Sequence, residues 1–312
     1  MDKTFYFMAG LPRAGSTLLS TLLNQNPRFY SGPSSPVLGA MFSVHDNFQG
    51  NELYTGYPKP ERVNEIIGSL IRHWYSDVEE EVIIDKNRAW TARVPFIEGY
   101  VGQEAKIIVP VRRVDEILTS LLTMIHRNPF VEGQPRINFV DEQLVKNNIP
   151  INDENRCEYL LTAQGGIVWE SLNAVKMGVD EGYSDKFHYV DYNDLVTDPQ
   201  GELNNIYEFL GEEPFEHTFD GLFNEHREDD LTTYGLGDMH EVHSKLEKTS
   251  PDPSTVLPES TLELYNNNKQ NLEFWNDSKP MKINPNPHAQ FQPQNSGSPP
   301  QTKINTYNLF SQ

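Results

Sequence analysis

Residues 5–19, FYFMAGLPRAGSTLL, run as an apolar strand into a Gly/Pro turn and restart as a helix at Ser16 and Thr17. A helix N-terminus carries unpaired N–H groups and the positive end of the helix dipole, so this order builds an anion cradle, and glycines let the backbone approach the anion closely. The spacing of Gly10, four residues and Gly15 matches the loop that holds nucleoside triphosphates, but Ser16 stands where that loop has its Lys. The only cation within the turn is Arg13. Without the Lys, γ-phosphoryl transfer is poorly served, whereas an Arg and a ring of N–H groups suffice to grip a terminal phosphate bidentately.

Two further segments point to the same crevice. KIIVPVRRVDEILTSLLTMIHR, residues 106–127, is an apolar run ending at Arg112 that passes into a helix bearing Ser120. An Arg at a strand's carboxyl end and a hydroxyl two turns into the next helix converge on one phosphate, where open α/β sheets bind ligands; Arg113 is the competing register. VIIDKNRAW, residues 82–90, ends a β-branched strand in Asp85-Lys86, which brings Lys86 to the same edge if the strands are neighbours.

The chain has 312 residues, 37% hydrophobic and 11% aromatic, enough for a substantial core. Cys157 is the single cysteine, which excludes an internal disulfide framework and a multi-Cys zinc site. No run is long enough to span a membrane and no leader precedes the first strand, so a soluble, cytoplasmic protein is expected. The formal charge of −20 argues against nucleic-acid binding. That charge is uneven: 22 acidic residues against four basic ones lie between Asp180 and Glu263, while the arginines of the anion motifs lie in the first half. The acidic half reads as a solvated surface.

Short apolar runs alternate with amphipathic stretches, the pattern of a parallel sheet flanked by helices. Strands are expected over 3–9, 81–85, 106–112 and 187–191. Helices are expected after Gly15, over 62–76, from 114, over 157–177 and over 201–211. Residues 128–156 read as a loop-rich insertion, and 36–62 as further loops that shape an acceptor pocket. From 277 to 312 the composition of Pro, Asn, Gln and Ser predicts a disordered C-terminal tail behind a single domain, 1–276.

LPRAGSTLL resembles the 5′-phosphosulfate loop of sulfotransferases that use 3′-phosphoadenosine 5′-phosphosulfate (PAPS), and the Arg112-to-Ser120 segment resembles their 3′-phosphate motif. The order of motifs is most similar to the tyrosylprotein sulfotransferase branch: STLLNQNPRFYSG follows the first loop, then Asp85-Lys86, FHYVDYNDLVTDP (187–199) and HSKLEKTS (243–250). The resemblance implies an α/β, P-loop-like three-layer fold with a central parallel sheet flanked by helices. It implies that Arg13, Ala14, Gly15, Ser16 and Thr17 hold the 5′-phosphosulfate, that Arg112 and Ser120 hold the 3′-phosphate, and that Lys86 stabilises the transferring sulfuryl group together with Arg13. Tyr192 would lie near the nucleotide. Ser244 and Lys245 would contact it from a closing loop, with Ser244 also at the reacting end. The two arginines would grip opposite ends of one bisphosphorylated adenosine.

One departure concerns the base. The tyrosylprotein enzymes carry a Glu pair after the Asn-Pro turn, and here Ser31-Gly32-Pro33-Ser34-Ser35-Pro36 has no carboxylate. His45 and Asp46 are the nearest candidates. His240 and His243, read as one helical face, lack the spacing and Cys partners of a zinc site, and no metal is expected. The partner implied is a hydroxyl-bearing acceptor, whether peptide, saccharide or small molecule, and self-association into a homo-oligomer stays open. Two other readings of the residues stand beside this one: a degenerate P-loop kinase of a nucleotide or metabolite, and a non-catalytic nucleotide-binding module.

Overall fold

The computed structural model describes residues 3–247 and 250–278. Of the tail expected over 277–312, residues 279–312 lie outside the described residues, and 277–278 belong to the last helix. The chain runs β1 (Thr4–Met8), α1 (Ser16–Leu23), β2 (Phe29–Ser34), α2 (Val37–Gln49), α3 (Glu52–Gly56), α4 (Pro60–Trp74), β3 (Val82–Lys86), α5 (Val94–Phe96) and β4 (Ile107–Val111). It continues α6 (Val114–Arg127), α7 (Phe139–Lys146), α8 (Asp153–Thr162), α9 (Ile167–Asp180), β5 (Phe187–Asp191), α10 (Tyr192–Thr197), α11 (Pro199–Leu210), α12 (Asp230–Tyr234), α13 (Glu259–Leu272) and α14 (Trp275–Ser278).

The five strands form one parallel sheet in the order β2-β3-β1-β4-β5. Both faces are covered, and the period-2 alternation of a strand assigns the residues to them. Phe5, Phe7, Ile83, Ile107 and Val109 pack into one core with α2, α4, α6, α8 and α9. Tyr6, Met8, Ile84 and Ile108 enter the other with Leu19, Leu22 and Leu23 of α1 and Leu203, Ile206 and Leu210 of α11. The result is the three-layer α/β arrangement that the alternating apolar runs imply. The strand order reverses at β1, so the crevice outside its carboxyl end is where such sheets receive ligands.

Several elements differ from the sequence reading, and α5, α10, α12, α13 and α14 are absent from it. β2, FYSGPS, is absent from it because Gly32 and Pro33 read as a turn. An edge strand tolerates both, and the pairing with β3 shifts register between Ser31 and Ser34. The helix expected over 157–177 is two helices, since Gly165 and Gly166 interrupt α8 and α9. The insertion at 128–156 contains α7, capped by the Asn138 side chain accepting from the Asp141 N–H. The segment 36–62 is mostly α2 and α3 rather than loop.

The end of β3 is locked in place by a buried carboxylate. Asp85 is 0% exposed. It accepts from Ser35 Oγ at 2.5 Å and Tyr75 OH at 2.7 Å on Oδ2, and from Trp90 Nε1 at 2.6 Å on Oδ1. Burial pushes its pKa up while the three donors pull the other way. Asn87 continues the lock, its N–H donating to the Met8 carbonyl and its side chain to the Ser35 carbonyl, both at 3.0 Å. β1, β2 and β3 are thereby tied at one edge. Asp85→Ala strands three donors, two of them on aromatic rings in the core, and is expected to lower the unfolding free energy by about 3 kcal/mol in urea titrations.

Candidate functional site

The turn between β1 and α1 lies at the carboxyl edge of the central strand, and its conformation follows from two glycines and one arginine. Gly10 runs so close to β4 that a Cβ there would sit 2.2 Å from the Pro110 carbonyl oxygen. Gly15 caps α1 at φ 86°, with Tyr192 against the position a Cβ would take, and offers no side chain to the first N–H groups of the helix. Arg13 also adopts a left-handed backbone, φ 58°, which turns the chain between the two.

Arg13, Gly15, Ser16, Thr17, Lys86, Arg112, Ser120, Tyr192 and Lys245 all line one cleft, whose empty volume including its open mouth is about 1160 Å³. Ala14 is buried behind the turn. The sequence reading therefore brings its phosphate motifs together, with changes in who touches whom.

Ser120 Oγ accepts from Arg13 Nε at 3.2 Å, so the hydroxyl expected beside Arg112 is joined to the first-loop arginine. Arg13 Nη1 donates to the Met239 carbonyl. Arg112 is 3% exposed and donates from all three of its nitrogens: Nε to Glu116 at 3.0 Å, Nη1 to the Arg13 carbonyl at 3.1 Å and Nη2 to Ser250 Oγ at 2.6 Å. Its guanidinium also lies over the Tyr192 ring, 4.2 Å from the centroid. The two arginines line the same cleft, and Arg112 is joined to the first loop through the Arg13 carbonyl. Burial and the nearby Arg112 charge both lower the Arg13 pKa, the mark of a cation pair that an anion would relieve. The register question is resolved by Arg113, whose side chain turns out to pair with Asp115.

Lys86 is 6% exposed at the end of β3, opposite Met8 of β1 and Ser34 of β2. Burial brings its pKa down to about 8, with Arg88 pushing the same way and Glu228 and Asp230 opposing. Near neutral pH it is a poorly hydrated cation at the cleft, suited to meeting negative charge that develops there.

Other assignments move. His45 lies on α2, outside the cleft lining, in an aromatic cluster with Phe42, Phe96 and Tyr100 and with Nδ1 3.1 Å from Asp46. Nearness along the chain to the segment that lacks the Glu pair does not bring it to the cleft. Ser244 is exposed and is not among the residues that border the cleft; its carbonyl accepts from the Leu222 N–H at 3.0 Å. Ser250, at the other end of the same motif, is the hydroxyl that reaches the arginine cluster. His240 lies on a turn and His243 on irregular chain, not on a helix, and both border the cleft.

Sequence reasoning missed Arg88, Glu228 and Asp230. Among the described residues, Glu228, Asp230 and His240 are the group of titratable side chains whose ligand-type atoms lie within 4.8 Å of one another. His240 Nδ1 is 2.6 Å from Asp230 Oδ1 and 2.8 Å from Glu228 Oε2. No local pattern marks the three, because the two carboxylates sit within a generally acidic stretch.

The chain is an α/β protein with an open parallel sheet and a cleft bearing Arg13, Lys86 and Arg112 at its switch point. Residues 3–250 match the family model of the sulfotransferase domain, and the chain belongs to that family. Similar solved structures include a mouse sulfotransferase, SULT7A1, complexed with PAP (11% identity, 87% of this chain and 85% of that one, TM-score 0.49). A sulfotransferase domain from the curacin biosynthetic pathway is 12% identical over 86% of this chain and 98% of that one, with a TM-score of 0.48. Retinol dehydratase in complex with androsterone and inactive cofactor PAP is 11% identical over 87% and 81%, with a TM-score of 0.44. No curated protein sequence matches the chain. Among the described residues no helix is long and apolar enough to cross a membrane.

The Lys86 ammonium is expected to lose its proton near pH 8 when followed by 15N NMR of the side chain. Glu228→Gln removes a charge that holds that proton, so the midpoint should fall further; an unshifted midpoint would separate the two groups.

Proposed function

We propose that this sulfotransferase-family chain moves a sulfuryl group from PAPS to an acceptor hydroxyl, in the manner of the tyrosylprotein branch whose motif order it resembles. The observation that carries the reading is the meeting of Arg13, Ser120 and Lys86 in one cleft at the N-terminus of α1. The donor supplies an activated sulfuryl group on a 5′-phosphate and a separate 3′-phosphate.

The residues present suit that ligand. The N–H groups of the turn and α1, with Ser16 and Thr17, form the cradle for the 5′-phosphosulfate. Arg13 and Ser120, already hydrogen-bonded, offer a charged and a neutral donor side by side. Arg112 braces the cluster: its bonds to the Arg13 carbonyl and Ser250 hold the turn to the closing segment, while Glu116 balances its charge. Tyr192 and Lys245 line the same space as nucleotide contacts. Lys86 stands where charge would grow on the sulfuryl oxygens as the bond to the 5′-phosphate lengthens, and its low pKa makes it an ammonium that gains from pairing. Catalysis of this kind is positioning and electrostatics.

Three results test the assignment. In thermal-shift experiments 3′,5′-adenosine bisphosphate should raise the melting temperature, and ATP with magnesium should not; the reverse preference would favour a kinase. Lys86→Ala should lower turnover by about 10²–10³-fold while leaving affinity for the bisphosphate nearly intact, since the lysine acts on transition-state charge. Because the lysine must be protonated to work, kcat/KM should fall as pH rises through about 8, and this alkaline limb should disappear in the residual activity of the alanine variant.

A further inference from the structure

Transfer to a hydroxyl needs a group to take the proton, and His45 and Asp46 on α2 do not line the cleft. The residue after Met239, whose carbonyl meets Arg13, does. His240 borders the cleft together with Lys86 and Arg88, on a turn that follows α12. Its backbone N–H donates to Asp230 Oδ2 at 2.7 Å, and its ring nitrogen Nδ1 lies 2.6 Å from Asp230 Oδ1 and 2.8 Å from Glu228 Oε2. Asp230 therefore grips the histidine twice, through the main chain and through the ring, and Glu228 closes on the same ring nitrogen. The Tyr234 ring packs against the imidazole, with centroids 5.6 Å apart.

Two carboxylates at one ring nitrogen decide the tautomer: Nδ1 carries the hydrogen, and Nε2 is left as the basic nitrogen. Resting on the sulfuryl-transfer reading above, we propose that His240 is the general base of the reaction, that its Nε2 removes the acceptor proton, and that Glu228 and Asp230 are positioning residues that orient the ring and stabilise the imidazolium. The step balances without a further reactant. The acceptor oxygen forms a bond to sulfur, and the bond from sulfur to the 5′-phosphate oxygen breaks with its electron pair, giving 3′,5′-adenosine bisphosphate. The acceptor proton passes to Nε2 and from there to solvent.

The charged neighbours tune this pair of groups together. Burial acts to lower the His240 pKa, but the hydrogen bonds and charges of Asp230 and Glu228 outweigh it and the net shift is upward. The same two carboxylates hold the proton on Lys86, against Arg88. Tyr234 feels Arg88, Glu228 and Asp230 in turn. One acidic pair thus acts on both the lysine that must stay protonated and the imidazole that must take a proton. It also gives part of the acidic second half of the chain a place at the site.

Imidazole NMR of the full chain, with the His240 signals assigned by their loss in His240→Gln, tests the arrangement directly. The neutral ring should be the Nδ1–H tautomer and should titrate above the ordinary range for histidine, near 6.5. Glu228→Gln and Asp230→Asn should each move that midpoint down, and the acidic limb of PAPS turnover, with water as the acceptor, should move down with it. His240→Gln should slow that turnover by about 10²-fold or more and remove the limb, with 3′,5′-adenosine bisphosphate affinity within twofold of the parent. An Nε2–H tautomer, an unchanged rate in His240→Gln, or a parallel loss of bisphosphate binding would overturn the assignment. So would turnover abolished by a chelator and restored by zinc, which would make the three side chains metal ligands. If the parent chain binds no bisphosphate, the donor reading fails, while the tautomer and its response to Glu228→Gln still decide the histidine–carboxylate arrangement.

Discussion

A charge removed from water must be met by other groups, and at the end of β3 three of them meet Asp85. Ser35, Tyr75 and Trp90 come from the β2–α2 junction, the end of α4 and the turn after β3. One carboxylate therefore ties together segments that the chain separates widely. Desolvation works against it, and the three short hydrogen bonds offset that cost only while all the partners stay in place. Lys86 is the next residue, on the opposite side of the strand. Because successive strand residues point to opposite faces, fixing Asp85 in the core fixes Lys86 toward the cleft.

A second buried carboxylate plays a similar part for the phosphate motifs. Glu116 lies one helical turn after Arg112, so the arginine's charge is answered within its own element. That leaves Arg112 to act as a brace, with one nitrogen on the backbone of the first loop and another on Ser250. Among the described residues the Arg13 side chain has a serine hydroxyl and a main-chain carbonyl as hydrogen-bond partners, with the Asp238 charge acting on it as well. Under the function proposed above, Arg112 with its charge answered holds the geometry and Arg13 is the arginine that meets the anion.

Much of this was readable along the chain. The strand, Gly/Pro turn and helix of residues 5–19 lie within a few residues of one another, and their chemistry is that of backbone N–H groups and of glycines packed against neighbours. The Arg112-to-Ser120 segment is likewise a single strand end and a single helix. Where reading failed, local cues were opposed by tertiary packing. Gly32 and Pro33 signal a turn, yet the sheet edge accepts them as β2. His45 lies near, along the chain, to the segment that lacks the Glu pair, and the α2 helix carries it into an aromatic cluster with Phe42, Phe96 and Tyr100. Ser244 and Ser250 belong to one motif, and only the folded segment distinguishes the hydroxyl that touches Arg112 from the one that faces solvent.

The sequence by itself determined the parallel α/β architecture, the anion cradle and the lysine at the strand end, because apolar periodicity and turn chemistry are properties of neighbouring residues. Tertiary structure alone decided that Arg13 pairs with Ser120 and that Glu228 and Asp230 converge on His240. The first contact joins segments 107 residues apart, and the Asp230–His240 contact, although it spans only 10 residues, needs the chain after α12 to fold back on that helix. In an acidic stretch, no composition or spacing distinguishes a carboxylate that will meet a histidine from one that will meet water.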